Sequence, residues 1–408
     1  MSGLDLSGIL RANDPLLTSV ATSSGLRSSD PKELKQRLVP ELWNYGITRV
    51  ANLTGFDRLG IPVHMATKPQ GKTLSSGSGK GVTAEGSWVS AVMEACEQTV
   101  WENLTESDLE TSETTLARMG VPFISGDSLP KWKGELWNTN HPIHWRRGWD
   151  IINGETVYFP EAAALITPDL HSPFVCSSNG LASGAHVVEA LLSGLQEVVE
   201  RDSMTLKTIA TRSHPVDATE FLREHLGDLM EPIWSQGLDI RVVDATTELG
   251  VPTMVAYLLD ELGGTTGLFK GAGAGVSTKT AMVRAVTEAV QARCLVVAGA
   301  RDDIFASQRR SSVSRPRQLE DEPTDGTLTN VMDASTGSVE GDLDWMVGKL
   351  RDQGIQRIVV DRHTEPGEIV QVVRVIVPHL EGYPLDGIKI GKRGRDFAKR
   401  MEGLVDAV

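Results

Sequence analysis

Three stretches of the chain align from a glycine: GVTAEGSWVSAVMEACEQ (81–98), GAHVVEALLSGLQEVVER (184–201) and GVSTKTAMVRAVTEAVQA (275–292). Thirteen residues after each glycine stands a glutamate: Glu94, Glu197 and Glu288. Three residues further on come Glu97, Glu200 and Gln291. Apolar residues share offsets as well: Trp88, Leu191 and Met282; Val89, Leu192 and Val283; Val92, Leu195 and Val286; Cys96, Val199 and Val290. That spacing is one stripe of an amphipathic helix. Before two of the copies the context also rhymes, GIPVHMA from Gly60 and GVPTMVA from Gly250. Each copy therefore predicts a strand, a glycine-rich loop and a helix, and the chain as a whole an α/β class of mixed α+β layers.

The acids of the repeat carry the chemistry. Residues three apart on a helix are neighbours on one face. One such pair by itself reads as a solvated face. Polar acceptors at matched offsets in three helices are harder to dismiss. Two carboxylates beside a buried stripe repel each other and resist losing water, so a cation is expected between them. Hard oxygen donors select Mg²⁺ or Ca²⁺, and magnesium completes its shell with water and phosphate oxygens. Glu94, Glu97, Glu197 and Glu200 offer up to four carboxylates, enough for more than one ion. Arg201, Arg284 and Arg293 suit phosphate oxygens.

Two glycine stretches imitate nucleotide loops and fail the spacing. SGSGKG (76–81) has Leu74 where a P-loop needs its first glycine and Gly81 where it needs Ser or Thr. GAGAG (271–275) has Val276 at the last glycine's place of a dinucleotide fingerprint. Both precede helices, whose N-termini attract anions. Lys80 either adds a point charge for a phosphate or is a solvated loop lysine. TKPQGKTLSSGSGKG (67–81) reads as a loop, and SQRRSSVSRPRQLEDEPTDGTL (307–328) as a mobile one. Strands are expected at GITRVANL, IPVHMAT, IRVVDA, TMVAYLL, QRIVVD and VQVVRVIVP.

The totals bound the rest. The 408 residues are 40% hydrophobic and 23% charged, with a net charge of -14, which argues against wrapping nucleic acid. Cys96, Cys176 and Cys294 are scattered and form no CxxC pair, so neither a disulfide framework nor a zinc site is expected. A reducing, cytoplasmic setting fits. MSGLDLSGILRAND reads as no signal peptide, and no apolar run reaches a membrane span of about 20 residues.

With these motifs in order, the chain resembles the YcaO-domain family over about residues 45 to 385. SGKG followed by SAVMEACE resembles its GKG block and S-x-x-x-E-x-x-E nucleotide motif. NGLASGAHVVEALLSGLQEVVERD (179–202) resembles the second acidic block, AVTEAVQAR (285–293) the third, and AGARDD (298–303) and RVIVPHLEG (374–382) the later parts. The resemblance implies a YcaO-type fold of repeated units packed around a central nucleotide cleft. It implies a lead-in segment (1–44), a catalytic domain (45–385) and a helical tail (386–408). It implies Mg²⁺ on Glu94, Glu97, Glu197 and Glu200. It implies ATP contacts from Lys80, Ser90, Glu189, Arg201, Gln291 and Arg293, and leaves the catalytic base unassigned.

Such enzymes use ATP to activate a peptide backbone amide by phosphorylation. Attack by a side chain then gives an azoline, by sulfide a thioamide and by an amine an amidine, as in ribosomal peptide natural-product biosynthesis. Some positions depart from the family pattern: Gln98 stands where many members carry Arg, Ala182 where some carry Ser, and Gly275 where His is frequent. RMEGLVDAV (400–408) lacks the P-x-P-x-P tail of many azoline-forming cyclodehydratases. GITRVANLTGFDRLGIPVHMATKP (46–69) is most similar to members that act with a TfuA protein. The expected product is therefore a thioamide. Azoline or amidine formation, or a non-catalytic nucleotide-binding role, are the alternatives. Expected partners are a peptide or protein substrate, a TfuA-like protein and a second copy of the chain as a homodimer, with neither nucleic acid nor membrane.

Overall fold

Strands and helices alternate along the chain in the computed structural model, which describes residues 4–104, 107–165, 172–209, 215–260, 268–300, 324, 326–382 and 387–405. The first stretch supplies β1 (Val20–Thr22), β2 (Gly25–Arg27), α1 (Pro31–Leu38), β3 (Arg49–Asn52), β4 (Val63–Thr67), β5 (Ser76–Lys80) and α2 (Ala84–Glu102). The second supplies β6 (Leu109–Thr111), α3 (Glu113–Met119), β7 (Lys131–Trp132), β8 (Ile143–Asp150), β9 (Glu155–Pro160), β10 (Leu181–Gly184) and α4 (Val187–Ile209). Then follow α5 (Thr219–Ser235), β11 (Leu238–Asp244), β12 (Thr253–Asp260), β13 (Phe269–Ala274) and α6 (Thr278–Val297). The last are α7 (Val339–Asp352), β14 (Val359–Arg362), β15 (Gln371–Ile376), β16 (Ile388–Lys389) and α8 (Lys392–Val405). Each of the six predicted strand segments contains a strand: β3, β4, β11, β12, β14 and β15.

The chain forms two interleaved units. Unit 1 is Met1–Thr18, Glu97–Arg212 and Val339–Val408; unit 2 is Ser19–Cys96 and Ser213–Ser338. The division cuts helix α2 between Cys96 and Glu97.

In unit 2 the repeat is a hairpin followed by a helix. β3, β4 and β5 form one antiparallel sheet, with Val63 opposite Lys80 and Thr67 opposite Ser76. β11, β12 and β13 form another, with Thr253 opposite Ala274 and Leu258 opposite Phe269. Within the glycine-rich stretches expected as loops, 76–80 and 271–274 are thus strand, while 68–75 connects β4 to β5 without regular structure. The glycines serve close approach rather than flexibility. A Cβ at Gly79 would lie 2.1 Å from Ala91 N and from Ser87 O, and one at Gly77 2.6 Å from Ala95 N, so α2 rests directly on the β5 backbone. On β13 a Cβ at Gly271 would lie 2.1 Å from Ala285 O and one at Gly273 2.3 Å from Ala281 O, which seats α6 in the same way. The stripe of α6, Met282, Val283, Val286 and Val290, is buried with Leu222, Met230 and Ile233 of α5 and Met254 and Leu258 of β12. Most of the 307–328 segment lies outside the described residues, as do the last three residues of AGARDD.

Unit 1 is built on an antiparallel sheet of order β10-β15-β14-β8-β6, with β9 paired to β8. Helix α4 packs against β10 and β15 through Gly194, whose Cβ would lie 2.8 Å from Val375 Cγ2. The first part of the lead-in, up to Thr18, belongs to this unit and is fastened to it. Trp149 Nε1 donates to Asp5 O (2.7 Å), and Arg362 donates to Ile9 O (2.7 Å) and pairs with Asp14 (2.6 Å). Helix α8 is held by Arg393, which pairs with the buried Asp202 of α4 at 2.9 Å. Cys96 and Cys294 are buried and Cys176 is half-buried, all three as free thiols. No helix among the described residues is long and apolar enough to cross a membrane.

Candidate active site

In unit 2 the bare β5 strand brings backbone donors up to α2. Ser78 N donates to Glu94 Oε2 at 3.0 Å, and Lys80 N to Ser90 Oγ at 3.4 Å. The Lys80 ammonium pairs with the Glu288 carboxylate of α6, so the glutamate of the third copy meets the lysine of the first. Gln291 is buried one turn along α6. Arg293 is buried too: its Nε donates to Asp57 Oδ2 at 2.9 Å, with both side chains 4% exposed, and its guanidinium lies 5.7 Å from the centre of the Phe269 ring. Close by, Cys294 Sγ donates to Leu53 O, and burial, then the Asp57 charge, pushes its thiol up to about 11. His64 Nδ1 lies 2.7 Å from Ser87 Oγ at the start of α2, and burial, then Lys35, lowers its pKa.

In unit 1 the second copy clusters on α4. Arg201 stands 3.7 Å from Glu197 and 3.5 Å from Glu200, and Glu200 is buried. Glu189, also buried, accepts from Ala185 N at 3.2 Å at the head of the helix. Val188 N donates to His186 Nδ1 (3.1 Å), and burial lowers the pKa of that ring.

Arg374 of β15 is fully buried. Burial lowers its pKa to about 10, opposed first by the charge of Glu197, then by Asp361, Cys176 and Glu97. Asp202, the residue after Arg201, is raised to about 6, chiefly by burial.

The donor set fits a hard divalent cation. Glu94, Glu97, Glu197 and Glu200 present oxygen alone, which matches magnesium and not zinc or copper. Among the described residues no three His, Cys, Asp or Glu side chains are already gathered at ligand spacing. The described partners of these glutamates are instead a backbone amide and arginine. Asp57, His64, His186 and Arg374 escape sequence reasoning. Arg374 alone leaves a signal there, a charge within the apolar strand run QVVRVI.

The model of the family described as YcaO cyclodehydratase, ATP- and Mg²⁺-binding, matches residues 78–381. An "uncharacterized protein in tfuA 3' region" of Rhizobium leguminosarum bv. trifolii is 31% identical over 87% of the chain and 88% of its own length. This chain belongs to the YcaO family. A relative from Methanothermobacter thermautotrophicus is 32% identical over 90% of the chain and 97% of its own length. YcaO from Methanopyrus kandleri, solved with AMPPCP and Mg²⁺, shares the fold with a TM-score of 0.72 at 23% identity, over 91% of this chain and 96% of that one. A heterocyclase in complex with substrate and cofactor superposes with a TM-score of 0.73 at 21% identity; it covers 92% of this chain, which spans 55% of the heterocyclase. The YcaO family is a family of ATP-dependent enzymes with ATP and Mg²⁺ as cofactors.

Proposed function

We propose that this YcaO protein activates a peptide backbone amide with ATP and magnesium and that sulfide then gives a thioamide. One observation carries the ATP site: acidic pairs at the same offsets of α2 and α4, with Arg201 3.5 to 3.7 Å from the α4 pair. Glu94, Glu97, Glu197 and Glu200 would hold the metal. Bound MgATP would supply the phosphoryl group that makes the amide oxygen a good leaving group.

The chain's own residues position and neutralise, which is most of what phosphoryl transfer needs. Lys80 is paired with Glu288 and Arg201 lies beside Glu197 and Glu200; both are cations that phosphate oxygens would recruit. Glu189 sits on the first turn of α4 and Ser90 on the second turn of α2, and helix N-termini favour anions. Gln291 and Arg293 line the third copy, Arg293 already oriented by Asp57. The relative described as lying in a tfuA 3' region supports a TfuA-like partner; delivery of sulfur by that partner, in the cytosol, is part of the same proposal.

The test incubates the chain with ATP, Mg²⁺, sulfide, a TfuA-like protein and candidate peptides, and weighs the products. Sulfur replacing oxygen is the expected change. The family's cyclodehydratase description favours a second outcome, loss of one water as a side chain closes an azoline. Magnesium-dependent binding without any product would leave a nucleotide-binding accessory role.

A further inference from the structure

The net charge of -14 is not spread evenly along the chain. IKIGKRGRDFAKR (388–400), which forms β16 and the first part of α8, holds six Lys and Arg residues and one acid, Asp396. Lys392, Arg395 and Lys399 are exposed and recur at i, i+3 and i+7, which is one stripe of the helix. Lys389, just before the helix, is exposed as well. Ile390, the next residue, leaves an apolar side chain 41% exposed among these cations.

A run of exposed charge on a helix is ordinarily a solvated face. Two observations set this one apart. It is basic on an acidic chain, so an acidic ligand repelled by the overall charge is drawn to this helix. The helix is also clasped to α4 at the candidate site. Arg393, off the stripe, donates from Nε to Asp202 Oδ1 at 3.0 Å and to Oδ2 at 2.9 Å. Glu381 N donates to Asp202 Oδ1 at 2.8 Å, and the Glu381 carboxylate accepts from Gly391 N at 2.9 Å and Gly394 N at 2.7 Å, at the head of α8. A Cβ at Gly391 would lie 2.6 Å from Glu381 Oε1, so glycine keeps that contact close. Asp202 directly follows Arg201, whose guanidinium lies beside Glu197 and Glu200. The basic stripe is therefore anchored next to the second acidic pair, within one unit.

We propose that the exposed face of α8, from Lys389 to Lys399, docks an acidic segment of the peptide substrate and holds the peptide beside the α4 acids. This rests on the reading of the chain as a peptide-modifying enzyme. Carboxylates on successive turns of the peptide match Lys392, Arg395 and Lys399, and Ile390 offers an apolar contact. Such docking tightens substrate binding and leaves the chemical step alone.

Fluorescence anisotropy tests this with a labelled synthetic peptide carrying glutamate at every third or fourth position and with its glutamine counterpart. The wild type should bind the acidic peptide at least about tenfold more tightly than the neutral one at about 50 mM NaCl, and the preference should shrink at about 200 mM. Reversal of the stripe, Lys392→Glu with Arg395→Glu and Lys399→Glu, should abolish that preference. Lys32→Glu with Arg37→Glu and Arg49→Glu, three exposed cations outside α8, changes the net charge equally and should keep most of it. Equal binding of the two peptides by the wild type, or equal loss in the two variants, would overturn the proposal. Salt-sensitive self-association that the stripe reversal removes, with no peptide preference, would assign the stripe to a second copy of the chain and overturn it too. Unfolding curves confirm that each variant is folded; should the reversed stripe not fold, glutamine at the same three positions replaces it with the same expectation. Calorimetry of MgATP on the wild type keeps the two readings apart: no binding would refute the ATP-dependent function, while the peptide comparison still decides the docking face.

Discussion

The backbone amide of Ser78 donates to the carboxylate of Glu94 across 3.0 Å. That contact exists because Gly77 and Gly79 leave no side chain between strand β5 and helix α2. It fixes an acid against a strand of the same unit, and the strand is as much part of the site as the acid.

Replacing Gly79 with alanine should therefore break the site through the scaffold. The added Cβ would meet backbone atoms at 2.1 Å, which no rotamer change relieves. Overpacking of this kind costs about 3 kcal/mol or more. Urea denaturation should show that loss, together with weakened ATP binding. Gly348→Ala on α7, where the new methyl meets nothing within 4 Å, is the control and should gain about 0.5–1 kcal/mol.

The Arg293–Asp57 pair is buried on both sides. Arg293→Met would leave the Asp57 carboxylate uncompensated and should cost about 3–5 kcal/mol. Asp57→Asn in the same chain should return part of it. Urea denaturation of both single variants and the double variant checks this; strict additivity would mean that the pair is not coupled.

The helices and their acids were legible because helical periodicity and offset are local properties. Val283, Val286 and Val290 fall on one stripe in the sequence and in the core alike. The strands β5 and β13 were not legible. Ser and Gly runs resemble loops, and the helix backbone they accommodate is visible only in three dimensions. Asp57 and Arg374 were missed for a related reason. Their partners, Arg293 and Asp361, lie elsewhere in the sequence, and no spacing rule links them. The strand register and the glycine contacts supplied what periodicity left out.

Stability should fall as the pH drops below neutrality. Burial lowers the pKa of His64 and His186 in the folded chain, so between that lowered value and the ordinary one near about 6.5 the unfolded chain binds protons that the native state refuses. Their contribution is therefore complete above about pH 6.5 and declines as the pH falls through this window. His64→Asn should be less stable than the wild type at pH 7.5, with a smaller deficit at pH 5.5. A deficit that stays constant across the two pH values would show that the ring does not resist protonation.

The claim on which the account rests is that Glu94, Glu97, Glu197 and Glu200 bind magnesium with ATP. Titration calorimetry with MgATP on the wild type and on each single Glu→Gln variant tests it most directly, with unfolding curves to confirm that each variant is folded. The prediction is that each substitution weakens magnesium-dependent ATP binding by at least about tenfold while the native fold persists, since one lost carboxylate contact to a charged site removes more than about 1.4 kcal/mol. Folded variants that bind MgATP as the wild type does would contradict it.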